Sequence, residues 1–212
     1  MMEINQSIKE RAEALYDPAL AYHNVEHVEY VLAAAERLID KCRAESVAID
    51  ADVVAYALLF HDAGYIEDHR AKGYDSKEAY SADIAADVLS SFDFKPEFIA
   101  AVKQSILATH MDAHCQSNED ILVRAADLSG LADSYKVFRT NSEHLKQEFE
   151  LLNERKITWA EWKKMVARTL ELFLREDLKL TSDYYDDNGD SVFHKLTRQN
   201  IEKFMQDDEL KP

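Results

Sequence analysis

The feature that most limits how this chain can fold is the segment 51–62, Ala-Asp-Val-Val-Ala-Tyr-Ala-Leu-Leu-Phe-His-Asp. It is apolar nearly all round, and a helix with no polar face is stable only when neighbours cover every side. The fold must therefore be built around it, and must find a use for the His61-Asp62 pair that ends it. The rest of the chain supplies helices to do the covering. Only 4 Gly and 3 Pro occur in 212 residues. That is too few for the tight turns of a β-rich fold and suits helices joined by short loops. Hydrophobic residues at 47% and charged residues at 31% give a globular chain with a core that needs no staples.

Periodicity and caps place the other helices. One is expected over about 3–16, ended by Asp17-Pro18. The next starts near Asn24, with Val28, Val31, Leu32, Ala35, Leu38 and Ile39 on one stripe. Asp75-Ser76-Lys77-Glu78 opens a third that runs to about Ser91, and Pro96 lies in the first turn of one reaching about Thr109. Another is expected from Ser117 through Ala132. Two long amphipathic helices follow over 134–154 and 158–176, the second opened by the capping box Thr158-Trp159-Ala160-Glu161, and a last one spans 192–207. Residues 65–75 and 110–118 read as polar loops, and no strand pattern stands out. The expected class is all-α.

A formal net charge of −16 repels nucleic-acid polymers and anionic membrane surfaces. It does not exclude a small phosphorylated substrate, because a bound divalent cation dominates the field of its own site. Cys42 and Cys115 show no metal-ligand spacing and are expected to be reduced thiols in a cytoplasmic protein. The opening MMEINQSIKERAEALY has no apolar signal-peptide core, and no run of about 18 apolar residues exists to span a membrane.

Imidazoles and carboxylates recur at helix ends. Tyr22-His23-Asn24-Val25-Glu26-His27 opens one helix, His61-Asp62 closes the apolar one, and Thr109-His110 closes a third. Asp127 lies in the apolar run that starts at Ile121. Buried carboxylates need a partner, and a metal ion is the strongest available. Imidazole with carboxylate suits Mn, Fe, Co, Ni or Zn, with Mg also allowed. Taken singly, each residue has a plainer use: a His at a helix end as a cap, Asp127 on an exposed face, and Glu78 as a helix-start carboxylate.

The ordered set His27, His61-Asp62, Asp127 resembles the HD superfamily of metal-dependent phosphohydrolases, and most closely a small bacterial branch of predicted members. The matching segments are Tyr22–His27, Ala57–Tyr65, Glu78–Ala82, Ile106–His110 and Ala126–Ser129. The likeness spans about 15–135, which it marks as the core of a single HD-type domain, with 136–212 as a helical annex. It implies an HD-domain-like helical bundle in which His27, His61, Asp62 and Asp127 hold a divalent transition metal. It also implies hydrolysis of a small phosphate ester or a nucleotide, with Asp62, Glu78 and His110 as catalytic residues. Departures from the pattern are informative. Leu20-Ala21, not Arg, precede Tyr22. Lys77-Glu78 stands where several two-metal relatives have His-Glu, which points to one metal. Gly64-Tyr65 is followed by Ile66, so the GYP signature of cyclic-dinucleotide phosphodiesterases is absent. Two other functions fit such a chain: a di-iron HD-fold oxygenase, which needs about six ligands, and a non-catalytic sensor or scaffold, which usually lacks the HD pair.

Overall fold

The computed structural model describes residues 2–175, 177–208 and 210. Among these every regular element is helical, apart from one isolated antiparallel bridge between Tyr185 and Ser191. Among the described residues no helix is long and apolar enough to cross a membrane. The chain divides into two compact units, 1–19 with 23–127, and 20–22 with 128–212.

The first unit holds α1 (Gln6–Glu13), α2 (Val25–Ala44), α3 (Ala51–Phe60), α4 (Lys77–Ser90), α5 (Pro96–Leu107) and α6 (Asn118–Asp127). The apolar segment is α3, and it is the hub: α1, α2, α4, α5 and α6 all pack on it. Every residue from Val53 to Phe60 is buried. Each large side chain covered this way contributes about 1.5–3 kcal/mol, so the centre of the unit is secured by the segment that ends in His61-Asp62. Asp50 starts α3 by accepting from the backbone N–H groups of Asp52 and Val53.

The second unit holds a 3-10 turn (Leu128–Leu131), α7 (Tyr135–Leu152), α8 (Trp159–Phe173), a short 3-10 turn (Ser182–Tyr184) and α9 (Val192–Gln206). Its core is Phe138, Trp162, Leu170, Phe204 and Leu210. The Phe138 and Phe204 rings meet edge to face at 5.6 Å, a favoured aromatic geometry. The Thr158–Glu161 capping box forms as expected.

Three expectations need correction. α1 is shorter than 3–16, because Asn5 caps it and places its start at Gln6. The helix expected to run through Ala132 stops at Asp127, where the chain tightens into the 3-10 turn. Buried Asn200 donates to the carbonyls of Leu131 and Asp133 and so holds the end of that turn. α8 ends at Phe173, and its expected last residue, Glu176, lies outside the described residues.

Candidate metal centre

Local structure delivers each side chain. Asn24 caps α2, its Oδ1 accepting from the backbone N–H of Glu26 at 2.9 Å and of His27 at 3.2 Å. That fixes His27 in the first turn. His61 is the C-terminal cap of α3, and Asp62 follows in a turn where the N–H of Tyr65 bonds the Asp62 carbonyl. Asp127 is the last residue of α6.

The Nε2 atoms of His27 and His61 stand 3.3 Å apart, and Asp127 Oδ1 lies 3.3 Å from the first and 3.4 Å from the second. Asp62 Oδ2 is 2.9 Å from His61 Nε2 and 3.7 Å from His27 Nε2. Donors about 2.1 Å from one ion at tetrahedral angles stand about 3.4 Å from each other. The three edges of the His27, His61, Asp127 triangle match that spacing. This buried cluster is able to chelate a divalent metal ion, and it is the one such group among the described residues.

The tautomer of His61 also fits. Its Nδ1 lies 2.8 Å from the Leu58 carbonyl, which only accepts, so Nδ1 carries the hydrogen. The lone pair of the neutral ring is then on Nε2, turned into the cluster. Electrostatics agree. Burial opposes charge on His61, yet the carboxylates of Asp62 and Asp127 outweigh it and hold the imidazole well above its usual range. Burial likewise opposes ionisation of Asp62 and Asp127, but the neighbouring imidazoles keep both carboxyls well below theirs. Without an ion the cluster recruits a proton. A divalent cation supplies the same compensation more completely.

Residues around the cluster complete its frame. Tyr16 is buried and donates its hydroxyl to the Leu59 carbonyl at 2.9 Å. Burial first, and then the charge of Asp62, push its phenol well above the usual range, so it remains a neutral donor. The Ala63 N–H bonds the Phe60 carbonyl, leaving the Leu59 carbonyl outside the helical pattern for Tyr16 to satisfy. His23 stacks on Tyr65 with ring centroids 3.6 Å apart, and Lys77 Nζ lies 3.6 Å from the same Tyr65 centroid. The two cannot share a face at that distance, so Tyr65 is held between them. His23 also adds to the field that keeps Asp62 ionised. Gly64 donates its N–H to the buried Ser81 hydroxyl on α4. A Cβ there would stand 2.5 Å from the Tyr80 ring, so only glycine lets α4 approach the turn after His61-Asp62 so closely.

His27, His61 and Asp127 form the chelating group; Asp62 stands beside it against His61 without being a member, and Glu78 and His110 are not members either. Glu78 sits half-buried in the first turn of α4, one turn before Ser81. His110 is half-buried just past the end of α5, and its Nδ1 accepts from the Asp112 backbone N–H at 3.2 Å. Sequence reasoning gave Tyr16 no part and named Tyr65 only as the last residue of a matching segment, with no role. For Tyr65 the signal was its place three residues after Asp62; for Tyr16 there was none nearby.

Compared with protein-family models the chain matches none, and it matches no curated protein. The chemistry of the site is read from its own atoms.

Proposed function

We propose that the chain is a cytoplasmic metal-dependent phosphohydrolase of the HD type, acting on a small phosphate ester or a nucleotide. The observation that carries this reading is the 3.3–3.4 Å triangle of His27 Nε2, His61 Nε2 and Asp127 Oδ1, with Asp62 alongside. In this reading His27, His61, Asp62 and Asp127 hold one divalent ion of Mn, Fe, Co, Ni or Zn, with Mg as a weaker fit to the imidazoles. Held there, the ion supplies Lewis acidity, activating water and polarising a phosphoryl oxygen.

The chain's own residues do the rest. Asp62, kept ionised, takes the proton of the attacking water. With Nδ1 accepting from Asp112, a neutral His110 carries its hydrogen on Nε2 and donates it to a phosphoryl oxygen. Glu78, in the first turn of α4, is assigned the delivery of a proton to the leaving oxygen as the ester P–O bond breaks. The test is metal analysis of the purified protein with a phosphatase assay over nucleotides and simple phosphoesters. One equivalent of metal with metal-dependent phosphate release is expected. Two bound irons with no phosphate release would move the chain to the oxygenases.

A further inference from the structure

A buried cation on α6 ties down the loop that leaves α5. Arg124 lies on α6, three residues before Asp127, and is 2% exposed. A guanidinium is costly to bury unless its N–H groups are hydrogen-bonded, and Arg124 places several of them on backbone carbonyls. Nη1 donates to the Ala113 carbonyl at 2.7 Å and to Ala108 at 3.3 Å, and Nη2 donates to Met111 at 3.1 Å. All three acceptors belong to the loop that leaves α5, and His110 lies among them. One turn earlier on α6, the fully buried Asp120 accepts from the Gln116 backbone N–H at 2.9 Å and from the Ser105 hydroxyl at 2.9 Å. The loop is therefore tied to α6 at its start and middle through Arg124 and near its end through Asp120. Within it the Asp112 N–H holds His110 Nδ1.

We infer that Arg124 is a positioning residue for His110: it sets the loop so that the imidazole presents an Nε2–H donor at a fixed height relative to Asp127 on the same helix. A planar guanidinium spreads rigid donors over several acceptors, which a lysine ammonium does not reproduce. The value of that placement to catalysis rests on the phosphohydrolase reading; the placement itself does not.

The test is therefore double. In the wild-type protein, nitrogen NMR of His110, assigned with His110→Gln, is expected to show one fixed Nε2–H tautomer, and the Asp112 amide is expected to exchange slowly. Averaged tautomers or a fast-exchanging Asp112 amide overturn the inference with no variant needed. In Arg124→Met the tautomer is expected to average and Asp112 to lose protection, while one equivalent of metal stays bound, and Arg124→Lys restores these only in part. A folded Arg124→Met with His110 unchanged overturns it. On a phosphate ester that proves to be a substrate, Arg124→Met should lose roughly tenfold or more in kcat/KM, and adding His110→Ala should cost little further. Full additivity overturns the link to catalysis. If no ester is hydrolysed, the functional reading fails while the NMR result still decides the placement.

Discussion

Both compact units bury polar residues, and they do different things with them. In the second unit Glu148 is 1% exposed and accepts the Tyr22 backbone N–H, and Asn200 is consumed by two carbonyls. Trp162 gives its indole N–H to the Ser142 hydroxyl. These groups serve the fold at separate points. In the first unit two imidazoles and two carboxylates, from α2, the end of α3 and the end of α6, meet at one point. A buried carboxylate is therefore not a sign of a site. Asp120, in the first unit, is as structural as Glu148. Convergence of several groups whose charges do not settle among themselves is the sign.

The contrast breaks most sharply through metal content. His61→Ala and Asp62→Ala should lose the metal, whereas Glu148→Gln should keep it; full occupancy in both site variants would end the assignment. The lost metal also removes a stabilising ligand, about 2.7 kcal/mol when free metal is a hundred times its dissociation constant. Next in size is the core of the second unit. Phe204 is 0% exposed, so Phe204→Ala should cost about 3–5 kcal/mol in denaturant unfolding. Metal stoichiometry below the transition should not change, and its loss would show that the units do not divide the labour as described.

How far this contrast could be read in the letters depends on the range of the interactions. The caps Asn24, Ser76 and Thr158 and the stripe of α2 act within one or two turns, so the helices were legible. The run 51–62 announced both the buried hub and the pair at its end. Arg124 reads as an ordinary surface cation on an amphipathic helix, yet its acceptors lie 11 to 16 residues away. Tyr16 is hidden for the same reason, its acceptor being 43 residues distant. The end of the 3-10 turn at Leu131 and Asp133 is held by Asn200, 67 to 69 residues downstream. No local pattern carries such contacts.

Smaller effects sharpen the comparison. Gly64→Ala puts a methyl 2.5 Å from the Tyr80 ring and should cost about 1–3 kcal/mol. Because the displaced turn carries Asp62, it should also weaken metal affinity, measured by competition with a chelator. Unchanged affinity would mean that the turn tolerates the shift. The smallest effect lies in the second unit. Hydrogen bonds from Lys146 and Lys156, and from the Ile157 N–H, hold the Glu150 carboxyl down to about 2. Its folded value is lower than its unfolded one, so its contribution is present above the ordinary glutamate range near pH 4.5 and is lost as pH falls through about 2. Glu150→Gln should flatten that part of the acid-unfolding curve and leave metal binding at neutral pH untouched; an unaltered curve would discount the bridge.

The all-round apolar character of α3 has an evolutionary corollary. With no solvent-facing side, the helix can exchange one aliphatic residue for another of similar volume at modest cost. Its length has no such freedom. One inserted or deleted residue between Ala51 and Phe60 would swing His61 and Asp62 by about 100° around the axis and shift them about 1.5 Å along it. Descendants of this chain should therefore vary freely in the spelling of that segment and hardly at all in its number of letters, while the loop before α4 absorbs insertions.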